Sequence, residues 1–258
     1  MLRLENISFS YQDQAVIRDV NAEIRQGTFQ ALIGPNGSGK TTLLRLMSRV
    51  LEPQRGRILL DGELFGRMRA SDIARKISVI SSEQYFEFPF LVSDVVAMGR
   101  YPHLARLQAL SQKDLELVED ALRMTDLGPL RNRPISHLSS GERQRVFIAR
   151  AIAQQPRVLM LDEPNAHLDV HHQKAVFDLL RTLHRDHGMT VIAVLHDLTT
   201  AAAFCEVVML LHEGRVVRVG SPAEVITRAA IRETYGVEVE IFPSPVGGFP
   251  LVVFGPRA

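Results

Sequence analysis

Residues 31–41, Ala-Leu-Ile-Gly-Pro-Asn-Gly-Ser-Gly-Lys-Thr, decide the fold. Three apolar residues come first, and the eight that follow fit G-x-x-x-x-G-K-[ST], the pattern of a phosphate-binding loop. An amphipathic run follows at residues 42–50, so the loop is predicted to join a strand to a helix. Glycines let such a loop curl its backbone N–H groups toward phosphate oxygens, and the helix adds its positive end. The predicted nucleotide-binding residues are Gly34, Asn36, Gly37, Ser38, Gly39, Lys40, Thr41 and Thr42.

Two side chains of this loop have predicted roles of their own. Lys40 is expected to reach the β- and γ-phosphates, and the Thr41 hydroxyl is expected to hold Mg²⁺. A chance match to the pattern in a chain of this length has a probability of roughly 1% at ordinary glycine content. A glycine-rich turn without a ligand is therefore the weaker interpretation.

Two carboxylates follow a second apolar run at residues 158–161. Asp162 suits the Mg²⁺ shell, and Glu163 suits a group that orients or deprotonates the water attacking the γ-phosphate. A solvated loop is the alternative, and the phosphate loop upstream makes it the weaker one. His196 ends a third apolar run at residues 190–195. From the residues alone, a γ-phosphate contact and a structural role for His196 are equally open.

The hydrophobic pattern predicts an α/β protein with a mostly parallel core sheet. Residues 2–9 and 20–24 alternate, and Asp61-Gly62 predicts a hairpin, so an antiparallel β region is expected near the N-terminus. Residues 31–33, 158–161 and 191–195 read as buried parallel strands, each leading into a polar loop. Residues 114–122 have helical spacing, with Leu115, Val118 and Leu122 on one face, within a helical lobe expected at about 85–150. Two short strands, at 237–241 and 251–254, are expected within a C-terminal extension of about 234–258, all in a single domain of residues 1–258.

Composition excludes several classes of protein. The formal net charge of +1 offers no electrostatic argument for binding nucleic acid. The one cysteine, Cys205, cannot form an intrachain disulfide, which favours a reducing compartment. No apolar run approaches the roughly 20 residues of a membrane-spanning helix. Any link to a membrane is therefore expected to come through a partner.

The segment at residues 138–145, Leu-Ser-Ser-Gly-Glu-Arg-Gln-Arg, identifies a family when it is combined with the other motifs. Taken alone it is a helix cap, with Ser139 or Ser140 as the N-cap and Glu142 in the first turn. Between the phosphate loop and the acid pair it resembles the L-S-G-G-Q signature of ABC-transporter ATPases. The resemblance extends over nearly the whole chain and implies the P-loop nucleoside triphosphatase fold, with ATP and Mg²⁺ as ligands.

The resemblance also implies roles for further residues. Tyr11 falls where an aromatic ring stacks on adenine, Gln84 where a glutamine senses the γ-phosphate and Mg²⁺, and His196 where a switch histidine lies. Residues 166–169 occupy the place of a loop that contacts the second subunit. Ser139 and Gly141 would close over ATP held by the other copy. Ser140 replaces a glycine and Glu142 a glutamine of the pattern; the change to glutamate is compatible with the contacts expected there, and the effect of Ser140 on closure is open.

The same resemblance implies the kind of ABC protein. One phosphate loop and one signature require a second copy or a paralogue to complete two sites, and the lack of an apolar span argues against a fused exporter. The chain is therefore expected to be the ATPase of an importer, at the cytoplasmic face of the inner membrane. Residues 84–103 are the expected dock for a permease subunit, which in turn would meet a substrate-binding protein. The aromatic-rich run at 85–90 would line that dock or fill the core of the lobe.

Residues 99–103 and 163–173 are similar to the group that serves iron–siderophore, haem and cobalamin uptake. The alternative is a soluble ATPase of an assembly system, such as that of iron–sulfur clusters, which shares every nucleotide motif. A nucleotide-binding regulator without turnover is a weaker third option. Residues 167, 171, 172, 184 and 187 are histidines, but they lack the carboxylate or cysteine framework that would favour a metal site.

Overall fold

A computed structural model of the chain describes residues 1–81, 88–166 and 168–254. The chain divides into two compact units, the first formed by Met1–Arg67 with Thr190–Ala258 and the second by Met68–Met189. The strands are β1 (Leu2–Tyr11), β2 (Gln14–Ile24), β3 (Phe29–Ile33), β4 (Arg55–Leu60), β5 (Glu63–Leu64), β6 (Ile77–Ile80), β7 (Val158–Asp162), β8 (Thr190–Val194), β9 (Val207–His212), β10 (Arg215–Gly220), β11 (Glu240–Pro243) and β12 (Pro250–Val253). The α-helices are α1 (Lys40–Met47), α2 (Ala70–Ala74), α3 (Val92–Ala97), α4 (Gln112–Met124), α5 (Ser140–Ala153), α6 (Val170–His187), α7 (Leu198–Phe204), α8 (Pro222–Val225) and α9 (Arg228–Tyr235).

The first unit contains the predicted antiparallel region, a four-stranded sheet in the order β2-β1-β4-β5. Leu2, Leu4 and Ile7 of β1 are buried, but the predicted alternation breaks between Leu4 and Ile7, where the pairing with β2 shifts register and Asn6 has a positive φ of 53°. The Asp61-Gly62 turn joins β4 to β5 with positive φ at both residues (55° and 84°), which confirms the hairpin. The hairpin is short, because a 3₁₀ turn begins at Phe65.

The first unit also holds strands in the order β10-β9-β3-β8. Strand β3 is parallel to both β8 and β9, and every residue of β3 and β8 is buried, as the apolar runs predict. The N–H of Leu195 donates to Leu32 O at 3.1 Å, just beyond the end of β8. The carboxyl ends of β3 and β8 therefore lie at the same edge, which is where α/β sheets bind ligands.

The second unit contains the parallel pair β6 and β7 together with helices α3, α4 and α5, which pack on one another. A buried ion pair joins Arg100 Nε to Asp114 Oδ1 at 2.9 Å, and Arg100 also donates to Ala153 O at 2.7 Å. Hydrogen bonds from Ser111 and then from Arg100 lower the pKa of Asp114 to about 2. The guanidinium group of Arg100 therefore links the segment after α3 to α4 and to the end of α5.

Several predicted boundaries and faces need correction. Val118 and Leu122 are buried in α4 as predicted, but Leu115 is 45% exposed, so it lies at the edge of the apolar face. Helix α1 ends at Met47 and not at residue 50, because Arg49 adopts a positive φ of 59°. The first C-terminal strand begins at Glu240 and not at residue 237, since the chain leaves α9 through Gly236 at φ 68°. Strands β11 and β12 then pair antiparallel.

In the described ranges 1–81, 88–166 and 168–254, no helix combines the length and the apolar character needed to cross a bilayer.

Candidate nucleotide-binding site

The phosphate loop lies between β3 and α1, as its sequence predicts. Gly39 is the N-cap of α1 at φ 101°, and the loop is closed by a bond from Ser38 N–H to Pro35 O at 3.2 Å. Gly34 has a φ of 151°, and a methyl group there would lie 2.2 Å from the carbonyl oxygen of Leu211. Only glycine permits this approach of the loop to β9. Asn36 and Gly37 are exposed at the loop tip, Thr41 is half-buried, and Thr42 is buried on α1.

Two buried polar side chains of the loop suit a phosphate ligand. Lys40 is only 6% exposed, and its ammonium group donates to Gly34 O and to Pro35 O, both at 2.9 Å. Ser38 is 2% exposed, and its hydroxyl has no hydrogen-bond partner within the described part of the chain. A buried ammonium group and a buried hydroxyl that lacks a partner are both groups that an anionic ligand can satisfy. The loop therefore fits the phosphate groups of a nucleotide.

Tyr11 lies at the end of β1, on the hairpin that reaches the phosphate loop. Its ring is 42% exposed and meets Phe9 edge-on, with centroids 4.9 Å apart. Phe9 pairs with Ile17, and the Ile17 side chain lies where a methyl group on Gly39 would approach within 2.8 Å. The hairpin that carries Tyr11 therefore reaches the phosphate loop through Ile17, while Tyr11 itself is exposed at the end of β1.

His196 lies in the same unit, directly after the residue that bonds Leu32. Its side chain is exposed, and Asp197 next to it caps α7 by accepting from the N–H groups of Thr199 and Thr200 at 3.1 and 3.0 Å. The cap fixes the chain at the end of β8. His196 is therefore held at the strand edge that also carries the phosphate loop.

The second unit holds the acid pair at the end of β7. Asp162 is buried and is the last residue of the strand. Glu163 follows with a left-handed φ of 53°, and its carbonyl accepts from Ala166 N–H at 3.1 Å. A non-glycine residue in this conformation is uncommon, and such strain clusters at functional sites.

The signature segment begins α5 with a reciprocal capping box. Ser139 is the N-cap: its N–H donates to Glu142 Oε2 at 2.8 Å, and its hydroxyl accepts from Glu142 N–H at 3.3 Å. Hydrogen bonds from the backbone and then the side chain of Ser139 lower the pKa of Glu142. Glutamate in place of glutamine is therefore compatible with the signature, because its carboxylate completes the cap. Ser140 is exposed on the first turn, whereas Gly141 is buried.

His172 belongs to the surroundings of the signature, although its spacing alone did not show this. A methyl group on Gly141 would lie 2.1 Å from Cδ2 of His172. The His172 ring is in turn held by Asp169, the N-cap of α6. The three-residue spacing from Asp169 to His172 indicates only a cap; the contact with Gly141 depends on how α5 and α6 pack.

Some predictions fall outside the described residues. Gln84, Tyr85 and Phe86, with the γ-phosphate sensor and part of the aromatic run, lie there, as does His167. Of the rest of that run, Phe88 is exposed and Phe90 half-buried, with ring centroids 6.2 Å apart. Over the described ranges, no group of three or more histidine, cysteine, aspartate or glutamate side chains could hold a metal ion.

The fold and the phosphate loop define a P-loop nucleoside triphosphatase. The family model described as ABC transporter matches residues 17–166. The chain is 38% identical over 252 residues to the ferric enterobactin transport ATP-binding protein FepC of Escherichia coli (strain K12), covering 98% of this chain and 93% of FepC. The chain belongs to the ABC-transporter ATPase family, and it is an ATP-binding subunit that hydrolyses ATP.

Two solved structures agree with this assignment. An inward-facing metal-chelate type ABC transporter has a TM-score of 0.85 at 28% identity, covering 98% of this chain and 96% of that one. The dimeric ABC transporter cassette MJ0796 has a TM-score of 0.73 at 27% identity, covering 86% and 99% respectively. The predicted fold class is confirmed by these comparisons.

Proposed function

We propose that two copies of this chain bind two MgATP between them and drive a membrane importer of a metal chelate such as a ferric siderophore. The buried Lys40 and Ser38 of the phosphate loop carry the nucleotide part of this proposal. The chain has one such loop and one signature, so two complete sites need a second copy. The similarity to FepC and to a metal-chelate type transporter supports the importer and its cargo.

Each site is proposed to combine residues of both copies. Lys40 and the loop N–H groups hold the phosphates of ATP, and Tyr11 stacks on the adenine. Ser139 and Gly141 of the second copy contact the γ-phosphate through the start of α5, where the first N–H groups of a helix lack intrahelical acceptors. Glu163 orients or deprotonates the attacking water, and His196 contacts the γ-phosphate. Catalysis then depends on positioning and on charge stabilisation rather than on a covalent intermediate.

Thr41, Asp162 and Gln84 are the proposed Mg²⁺ ligands. A threonine hydroxyl and a carboxylate are hard oxygen donors, which suit this ion when a nucleotide supplies further oxygens. When bound, Mg²⁺ neutralises charge on the β- and γ-phosphates. The half-buried Thr41 and the buried Asp162 fit such a role.

The proposed location is the cytoplasmic face of the inner membrane, where residues 84–103 contact a permease subunit. Closure of the dimer would move the permease, and a substrate-binding protein would deliver the cargo to the permease on the opposite side of the membrane. Tyr101 and Phe88 are large exposed side chains in that range, as a docking surface requires. Retention of the chain by membranes that contain a co-expressed importer permease would support an importer. Co-purification with soluble assembly proteins would instead support an assembly ATPase.

Mixed dimers test whether the sites are shared. Lys40→Ala disables the phosphate loop, and Gly141→Ala disables the signature, so each variant alone should hydrolyse little ATP. If the sites are shared, a mixed dimer keeps one intact site. Half the dimers in an equimolar mixture are mixed, so about a quarter of wild-type activity should return if the sites act independently. A mixture no more active than its components would contradict sites shared between copies.

A further inference from the structure

The two-residue turn between β9 and β10 contacts the phosphate loop. Glu213 and Gly214 form this turn with positive φ angles of 46° and 78°, as a tight hairpin requires. The backbone N–H of Gly214 donates to Ser38 O of the phosphate loop at 3.1 Å. A second contact lies at the start of the loop, where a methyl group on Gly34 would meet Leu211 O of β9 at 2.2 Å. The phosphate loop therefore contacts β9 at its first residue and the turn at Ser38.

The same turn is hydrogen-bonded to β2. Gly214 O accepts the backbone N–H of Arg18 at 2.8 Å, and a methyl group on Gly214 would lie 2.3 Å from Val16 O. Ordinary contacts between a carbon and a carbonyl oxygen are about 3.3–3.6 Å. Ile17, between these two residues of β2, also contacts the loop, because its Cδ1 lies 2.8 Å from the position of a methyl group on Gly39. Gly214 is therefore enclosed between β2 and the phosphate loop and is hydrogen-bonded to both.

The hydrogen bond from Gly214 to Ser38 orients a phosphate-binding group of the loop. A peptide unit is planar and trans, so the N–H of Gly39 points opposite to the carbonyl of Ser38. Gly39 is the N-cap of α1, where an N–H has no acceptor within the helix. We infer that Gly214 is a positioning residue for ATP: by holding the Ser38 carbonyl at the β9–β10 turn, it directs the Gly39 N–H to the phosphates. The inference rests on the proposed function, in which this loop holds ATP.

Two pairs of variants separate this contact from general effects on the fold. Gly214→Ala must move the turn away from β2 by about 1 Å, which disturbs the bond to the loop. Gly62→Ala is its matched control, since Gly62 has a φ of 84° in the β4–β5 hairpin turn and a methyl group there meets nothing within 4 Å. Ile17→Val removes the Cδ1 methyl group that contacts Gly39. Ile24→Val is its control, because Ile24 is equally buried but lies at the other end of β2.

The test measures the affinity of the purified full-length chain for MgADP and for a non-hydrolysable MgATP analogue, by calorimetric titration well below the thermal midpoint of unfolding. Gly214→Ala should bind both nucleotides about 10- to 100-fold more weakly than Gly62→Ala, which is the loss expected for one hydrogen bond to a charged group. Both variants should have a lower thermal midpoint than wild type, since a positive φ is unfavourable for alanine. Ile17→Val should weaken the affinity about two- to tenfold. Ile24→Val should stay within about twofold of wild type.

The outcomes distinguish this inference from the proposed function. If Gly214→Ala binds both nucleotides within about threefold of Gly62→Ala while Lys40→Ala loses binding, the role of Gly214 is wrong and the proposed function stands. A merely structural role would lower the thermal midpoint of Gly214→Ala below that of Gly62→Ala and leave the affinities equal, which also overturns the inference. If Gly214→Ala does not fold, the comparison of Ile17→Val with Ile24→Val decides, and equal affinities overturn the inference. A wild-type chain that binds neither nucleotide overturns the proposed function and this inference together.

Discussion

Gly141→Ala is the most direct test of the signature geometry. The added methyl group would lie 2.1 Å from Cδ2 of His172, which is about 1.4 Å short of an ordinary carbon contact. The ring cannot retreat freely, since its Nδ1 lies 2.8 Å from Asp169. The first turn of α5 must therefore shift by about 1 Å or more. A shift of that size beside reacting groups costs about 100-fold in rate, or about 2.7 kcal/mol.

The assay compares kcat with ATP affinity in the same variant. Gly141→Ala should lose about 100-fold in hydrolysis and should bind ATP as wild type does, because the phosphate loop belongs to the other unit. Gly128→Ala is the matched control: a methyl group there meets nothing within 4 Å, and its φ is not positive. If Gly141→Ala hydrolyses ATP within about threefold of Gly128→Ala, the contact does not position the signature and the reasoning is refuted.

Three further changes and one labelling experiment test other parts of the structure. Glu163→Gln should lower hydrolysis by about 10²–10⁴, or about 3–5.5 kcal/mol, while ATP binding survives; near-wild-type turnover would refute the assignment. Tyr11→Ala should weaken ATP binding by about 1–3 kcal/mol in a calorimetric titration, while Tyr11→Phe should not. Asp114→Asn should lower the free energy of unfolding at pH 7, measured by urea denaturation, by about 2–3 kcal/mol, which is the free energy that corresponds to the lowered pKa of Asp114. Because the pKa of Asp114 is lowered to about 2, the difference should shrink as the pH falls from about 4 to about 2; a constant difference would contradict the ion pair. Burial raises the pKa of the Cys205 thiol, so a thiol reagent should label it only after unfolding, and rapid labelling of the native chain would contradict that burial.

Local sequence predicts the structure where the backbone conformation requires a particular residue type. The loop at residues 34–41 needs glycines at fixed positions, so its pattern shows both the turn and the ligand. The Asp61-Gly62 hairpin is predictable for the same reason, because both residues adopt positive φ. The apolar runs of β3, β7 and β8 likewise predict strands that are buried on both faces, since successive side chains of a strand point to opposite sides of the sheet.

Other features depend on neighbours that no local pattern describes. The spacing of α4 places Leu115 with Val118 and Leu122, yet packing against α3 and α5 leaves Leu115 at the exposed edge. The sequence does not predict the buried Arg100–Asp114 ion pair either, because charged residues usually lie on the surface. The burial of the pair depends on α5, to which Arg100 donates a hydrogen bond at Ala153 O.

The sequence by itself determined the phosphate loop, the acid pair, the signature and hence the family, because each depends on residue types at fixed spacing in a continuous segment. Only the tertiary structure decided that Lys40 and Ser38 are both buried, and that His172 fills the space beside Gly141. Gly141 and His172 belong to different helices, and only the packing of α5 on α6 brings their atoms into contact. Close packing sets such contacts to within a fraction of an ångström, and a one-dimensional pattern does not encode that distance.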